Sequence, residues 1–244
     1  MINKAKKLIE RSNNIVVFTG AGMSSESGMR TFRGDEGLWR EYSPEQLSSL
    51  AGIRENPKLV WEWYKMRFVA GDGIKPHIGY EALSLLQRKK KTLPVITQNV
   101  DGLHKMAGQT DVIEIHGSMR SASCINECGY STELSSDMFQ VLPPLCKKCQ
   151  ATLRPDIILF GEQLPEVAIS RVFDLAESCD LMIVIGTSVR VWPAAGIPFA
   201  ALESGADVIE INPVETALTL EKRTINFKEK AGEVLPSLVG LEIS

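Results

Sequence analysis

Five short β-branched runs, at residues 15–19, 95–97, 112–115, 181–185 and 208–211, each lead straight into a small polar or glycine-bearing motif. The motifs are Gly20-Ala21-Gly22, Gln98-Asn99-Val100-Asp101, His116-Gly117, Gly186-Thr187-Ser188 and Asn212-Pro213. None of the runs alternates cleanly between apolar and polar, the pattern of strands buried on both faces of a parallel sheet. Helical patterns at residues 4–11, 79–88, 166–178 and 194–204 lie between them. Strands alternating with helices predict an α/β fold, a Rossmann-like doubly wound parallel sheet. Ligands of such sheets bind beyond the carboxyl ends of the strands, so five motifs on one edge describe a single crevice.

Two stretches break the rhythm. Residues 35–78 carry helical signals and an aromatic run, Trp61-Glu62-Trp63-Tyr64, but no strand; residues 118–156 hold four of the five cysteines. The expected organisation is a large domain from residues 1–34, 79–117 and 157–244. A smaller lobe is then made of the helical insertion 35–78 and the module 118–156. Cys124 and Cys128 are separated from Cys146 and Cys149 by seventeen residues, which suits a four-cysteine zinc ribbon. A set of four thiolates leaves no open coordination position, so the expected metal is one structural Zn2+. Chance clustering and a redox pair are the alternatives. Cys179, at a helix–strand junction, reads as a core thiol.

Composition narrows the partners. With 27 basic against 30 acidic residues the net charge is -3, which argues against direct nucleic-acid binding as the main role. The apolar runs are too short to span a bilayer, and the first residues lack the apolar stretch of a secretory signal, so the expectation is a cytoplasmic protein with no membrane partner. Nothing in the sequence fixes an oligomeric state, and a monomer is sufficient for it.

The turn Gly20-Ala21-Gly22, with Gly28 beyond, allows backbone to approach a pyrophosphate, but a tight turn explains it about as well. Five residues, not two, separate Gly22 from Gly28, and no acidic residue ends a second strand. An ordinary hydride-transferring dehydrogenase is therefore disfavoured, though a dinucleotide is not. Of three histidines, only His116 directly ends a buried run on the motif edge, where an imidazole titrating near neutrality can accept a proton from a hydroxyl. His104 reads as a packing residue and His77 as part of a connection.

At this point the residues resemble a family. The stretch from Gly20 to Arg33 (GAGMSSESGMRTFR), Gln98-Asn99-Val100-Asp101-Gly102-Leu103-His104 and His116-Gly117 are similar to motifs of the sirtuins. The cysteine set, Phe160-Gly161-Glu162, Gly186-Thr187-Ser188 and Asn212-Pro213 follow in the family's order, from near residue 10 to Leu238. The resemblance implies NAD-dependent removal of acyl groups from protein lysines, giving nicotinamide and O-acyl-ADP-ribose. It implies His116 as general base and Asn99 and Asp101 as its catalytic companions, Asn99 orienting the ribose or a water and Asp101 receiving the nicotinamide carboxamide. NAD, as co-substrate, is expected against Gly20, Ala21, Gly22, Glu26, Thr31, Phe32, Arg33, Trp39, Gln98, Gly186, Thr187, Ser188, Asn212, Pro213, Val214 and Ala231. Ala231, in a short motif, is equally well a plain helix start. Phe160, Gly161 and Glu162 are expected to meet the acyl-lysine protein or peptide. Two departures stand out. The stretch 74–79 matches its family counterpart only loosely, and Arg190 occupies a generally apolar position.

Tyr64 and Arg67, three residues apart on one helix face, resemble the Tyr-x-x-Arg motif of sirtuins that remove succinyl, malonyl or glutaryl groups. A phenol and a guanidinium can grip a carboxylate, the guanidinium in bidentate fashion. Trp61, Tyr64 and Phe68 also make an apolar stripe, which leaves Arg67 as a solvated charge in the alternative reading. Other functional readings are a mainly acetyl-specific deacetylase, an NAD glycohydrolase or ADP-ribosyltransferase on the same fold, and a non-catalytic zinc-ribbon module.

Overall fold

A computed structural model describes residues 1–32, 37–90 and 93–241. Its strands in chain order are β1 (Ile15–Thr19), β2 (Val95–Thr97), β3 (Val112–Glu114), β4 (Gly117–Cys124), β5 (Ser131–Glu133), β6 (Leu153–Ile157), β7 (Leu181–Ile185), β8 (Asp207–Ile211) and β9 (Thr224–Phe227). Its helices are α1 (Ile2–Arg11), α2 (Gly22–Ser25), α3 (Pro44–Leu47), α4 (Leu50–Glu55), α5 (Pro57–Gly71), α6 (Ile78–Lys89), α7 (Leu103–Met106), α8 (Glu166–Ser178), α9 (Ile197–Glu203) and α10 (Ala231–Val239). Among the described residues no helix is long and apolar enough to cross a membrane.

Six strands form a parallel sheet in the order β3-β2-β1-β7-β8-β9. β1 and β7 are buried at every position, yet their side chains do alternate. Ile15, Val17, Leu181, Ile183 and Ile185 enter one core with α1, α6 and α10. Val16, Phe18, Met182 and Val184 enter a second core with α8 and α9. A two-sided apolar layer is why these runs read as continuous rather than alternating. The chain leaves β1 toward β2 on one side, while β7 pairs on the other. The gap between the ends of β1 and β7 is thus the switch point where a ligand crevice is expected.

All five expected strands are present, and a sixth, β9, joins at the edge. Its four residues, Thr-Ile-Asn-Phe, alternate between half-buried and buried, and the run is too short to announce itself. The expected helix at 194–204 begins as a 3-10 turn, Ala194–Gly196, before α9. The α10 helix ends on Gly240 at φ 70, a left-handed position that favours glycine.

The two irregular stretches share one core. Trp61, Trp63 and Tyr64 of α5 pack with Met119, Ala122, Leu153 and Phe139 around the antiparallel sheet β5-β4-β6. Helix α5 starts cleanly because the Asn56 Oδ1 accepts from Leu59 N at 3.1 Å and Pro57 opens the first turn.

Candidate active site

The crevice begins with three glycines locked together. Gly20 N donates to Ile185 O at 2.9 Å and Gly22 N to Gly186 O at 2.8 Å. A Cβ on Gly20 would meet Gly186 O at 2.9 Å, and one on Gly186, which has φ +58, would meet Met23 N at 2.3 Å. The loops after β1 and β7 therefore touch backbone to backbone. Close approach between loops already requires glycine at these positions. Gly28 serves differently, with open space around it and φ +94.

Inside this frame lies a connected polar set. Asn99 Nδ2 donates to Gly20 O at 3.0 Å and to Ser24 Oγ at 2.9 Å, while Asn99 N donates to Thr97 Oγ1 at 3.0 Å. Asp101 takes the Ser24 hydroxyl on Oδ2 at 2.7 Å and Leu103 N on Oδ1 at 2.9 Å. Thr187 Oγ1 accepts from Gln98 Nε2 at 2.9 Å, and Thr187 O accepts from Asn212 Nδ2 at 2.7 Å. Asn212 Oδ1 holds Val214 N at 3.3 Å. Sequence-predicted residues from four strand ends thus meet in one network. Beside them Ser188, Pro213 and Val214 are exposed along the rim.

His116 lies just past β3. Its Nδ1 sits 3.1 Å from Gln98 O, a carbonyl that can only accept, so Nδ1 carries the proton and Nε2 is left as the acceptor. Burial holds its pKa below the ordinary imidazole range, opposed by the Gln98 carbonyl. At neutral pH the ring is a neutral base. The other two histidines are structural, as the sequence suggests. His104 is buried and held at about 4 by that burial, with Nε2 2.9 Å from Thr19 Oγ1 and Nδ1 2.6 Å from Gln109 Oε1. His77 caps α6, its Nδ1 accepting from Gly79 N at 3.0 Å and its Nε2 donating to Met23 O at 2.8 Å.

Several expected contact residues have a visible structural task. The Glu26 carboxylate accepts from Gly232 N at 2.9 Å, which pins the start of α10 and leaves Ala231 buried. The carbonyls of Thr31 and Phe32 accept from Leu38 N and Trp39 N, at 3.0 and 3.1 Å. Arg33 lies outside the described residues. Past β6, Ile158 N donates to His116 O at 2.9 Å and Phe160 N to Ser48 O at 2.7 Å, so this strand-like strap ties the base to the small lobe. Phe160 is 45% exposed, and Gly161 has φ +89. The Glu162 carboxylate binds Arg154 Nη2 at 2.7 Å and Leu159 N at 2.8 Å, and so holds the strap rather than reaching outward.

Arg67 is 7% exposed, not solvated. Its guanidinium carbon lies 4.4 Å from the centre of the Phe32 ring and 5.6 Å from that of Trp63. Phe32 stacks on Trp39 at 5.1 Å, and Trp39 on Trp63 at 5.8 Å, so the cation sits against an aromatic stack. Burial lowers its pKa. No carboxylate among the described residues pairs with it, and it lines a narrow cleft with Met29, Phe68, Asp101, Met119 and Arg120. Tyr64 turns elsewhere. Its hydroxyl lies 3.2 Å from Ser48 Oγ, and burial pushes its pKa up to about 12, which keeps the phenol protonated. Of the two, only Arg67 lines the cleft.

The four cysteines converge. Their sulfurs all lie within 4.8 Å of one another, Cys124 Sγ 3.3 Å from Cys149 Sγ and Cys128 Sγ 3.5 Å from Cys146 Sγ. A tetrahedron with Zn–S bonds near 2.3 Å has edges of about 3.8 Å, so the set fits zinc. The longer CxxxC knuckle is absorbed by Glu127 at φ 53, and Gln150 at φ 61 turns the second. Lys148 N donates to Cys146 Sγ at 3.3 Å. Cys179 is buried in the main core, as expected of a packing thiol.

Sequence reasoning passed over Ser24 and Tyr80. Ser24 is one of three serines in a six-residue stretch, and nothing in the sequence says which is buried. Tyr80 did carry a signal, because a tyrosine at a core position of a helix needs a partner for its hydroxyl.

The family follows from this geometry and from comparison with known proteins. The Sir2 family model matches residues 20–193. An NAD-dependent protein deacylase of Aquifex aeolicus is 45% identical over 89% of this chain and 90% of its own length. Among solved structures, a Sir2 homologue mutant in complex with ADP ribose superposes with a TM-score of 0.93 at 41% identity, covering 98% of this chain and 96% of that one. A Sir2–p53 peptide–NAD+ complex superposes at 0.89 with 30% identity, covering 98% of each chain. The chain belongs to the Sir2 family.

Proposed function

We propose that the protein consumes NAD to remove acyl groups from lysine side chains of proteins, releasing nicotinamide and O-acyl-ADP-ribose. The observation that carries this reading is His116. Its Nδ1 is fixed on the Gln98 carbonyl, its Nε2 has no partner among the described residues, and burial keeps the ring neutral near pH 7. Such a base is ready to take a proton from a ribose hydroxyl. Support comes from relatives named NAD-dependent protein deacylases and from a family member bound to NAD+ and a p53 peptide.

On this reading Asp101, oriented from both carboxylate oxygens, receives the nicotinamide carboxamide, and Asn99 orients the ribose. The edge Gly186-Thr187-Ser188 and the Asn212-Pro213-Val214 turn hold the adenosine half, tied together through Thr187 O. Zinc bound by Cys124, Cys128, Cys146 and Cys149 supplies no catalysis but cross-links the two knuckles of the small lobe. The substrates are acyl-lysine proteins of the cytoplasm, where the cysteine set stays reduced.

The acyl group favoured is one with its own carboxylate, succinyl or malonyl before acetyl. Arg67 supports this, because a largely buried guanidinium that lines the cleft and forms no salt bridge among the described residues can take a carboxylate in bidentate fashion. Incubation with NAD and acetyl-, malonyl- or succinyl-lysine peptides, with products identified by mass, tests the whole reading. The expected product is O-acyl-ADP-ribose, formed fastest from the acidic acyl groups. NAD loss without deacylation contradicts the deacylase, and equal rates for all three contradict the acid preference.

A further inference from the structure

Tyr80 is fully buried in α6, and its hydroxyl lies 2.9 Å from Ser24 Oγ. The same Ser24 oxygen lies 2.7 Å from Asp101 Oδ2 and 2.9 Å from Asn99 Nδ2. A serine hydroxyl offers one proton and two lone pairs. The Asp101 carboxylate only accepts, so it takes the serine proton. The Asn99 amide nitrogen only donates, so it fills one lone pair. Tyr80 is then the donor to the other. Burial raises its pKa far above the ordinary phenol range, so that proton is always available. With both lone pairs filled, the Ser24 proton has one direction left, toward Asp101.

The ring that carries this hydroxyl is itself fixed. His77 and His104 meet Tyr80 edge-on, with ring centroids at 5.1 and 4.8 Å and interplanar angles of 73° and 67°. His104 is further anchored on Thr19 and Gln109. A three-histidine sequence thus places two of its imidazoles around one phenol.

We propose that Tyr80 is a positioning residue of the reaction, setting the Asp101 carboxylate through Ser24 in the orientation that receives the nicotinamide carboxamide. The proposal rests on the role given to Asp101 above. A phenylalanine at this position keeps the packing but bares one lone pair of Ser24 and removes one of the three contacts that hold its oxygen against Asp101.

The test uses the full, zinc-loaded protein with an acetyl-lysine peptide and nicotinamide itself as the probe. Tyr80→Phe, Ser24→Ala, the double variant and Asp101→Asn are compared for kcat, KM for NAD and inhibition by nicotinamide. Tyr80→Phe is expected to raise KM for NAD and weaken nicotinamide inhibition by about 3- to 10-fold, the value of one hydrogen bond, with a smaller change in kcat. In the Ser24→Ala background the same substitution is expected to add nothing. An equal loss in both backgrounds overturns the proposal, as does a fall in melting temperature with both nicotinamide-linked values unchanged. If Asp101→Asn impairs both values and Tyr80→Phe neither, Tyr80 alone is misassigned. If Asp101→Asn also leaves them untouched, the role given to Asp101 fails and the proposal falls with it.

Discussion

Along the carboxyl edge of the six-stranded sheet, Ser24, Thr97, Asn99, Asp101, Thr187 and Asn212 give their polar atoms to one another or to nearby backbone. Across the cleft, on the small lobe, Arg67 is likewise buried but rests on aromatic faces, and no described carboxylate, Asp101 in the same cleft included, forms a salt bridge with it. The first arrangement stores geometry, because every buried donor and acceptor is already satisfied and the side chains have one way to lie. The second keeps a cation on aromatic faces without a salt bridge, which leaves its donors available to an anionic ligand in the cleft. His116 combines the two, with one ring nitrogen fixed and the other open.

If that contrast is right, removing an open group costs function and removing a satisfied one costs stability. The largest expected effect is at His116. His116→Ala should lower kcat by about 10^3-fold, in the range of lost general-base catalysis, with the melting temperature little changed. A comparable loss of stability would move His116 to the satisfied class.

His104 tests the other class through pH. Folded, it is held at about 4, while an unperturbed imidazole titrates near 6.5. As pH falls the unfolded chain binds this proton first. The contribution of His104 is therefore complete above pH ~6.5 and is lost progressively toward pH ~4, amounting to about 3 kcal/mol. Urea unfolding across that window should show the decline, and His104→Gln should flatten it. An unchanged slope in the variant would mean that another group carries the acid sensitivity.

The smallest effect expected is at the glycine contact. A methyl group at Gly20 would press on Gly186 O and Thr187 at 2.9 Å. Gly20→Ala should cost roughly 1–3 kcal/mol in thermal unfolding, as overpacking does. It should also raise KM for NAD, because Thr187 shifts with the loop. Unchanged stability would show that the two loops can separate.

How much of this the sequence reveals differs between the same two regions. The edge network was legible because each polar motif directly follows a two-sided apolar run, and parallel strands carry the motifs to one edge of the sheet. The cysteine spacing was legible for a similar reason, since short-range covalent geometry dictates it. What sequence could not supply was direction. Tyr64 and Arg67 share a helix face, but only the fold shows that the phenol turns to Ser48 while the guanidinium lines the cleft. Gly20 and Gly22 suggested phosphate contact, and their approach to Gly186 is a contact between residues more than 160 positions apart. Glu162 belongs to a motif matched by resemblance, yet its carboxylate is turned inward to Arg154. Strand β9 and the pairing of Tyr80 with Ser24 likewise depend on neighbours distant in the chain.

The measurement that tests the contrast most directly is the ratio of succinyl- to acetyl-lysine turnover on one peptide, for the natural protein and for Arg67→Met. Breaking a buried charge pair costs about 3–5 kcal/mol, so kcat/KM for the succinyl peptide should fall by at least about 10^2-fold. Acetyl turnover should change far less. An equal fall for both peptides, or no fall for either, would contradict the claim that Arg67 is held unpaired for the carboxylate of the acyl group.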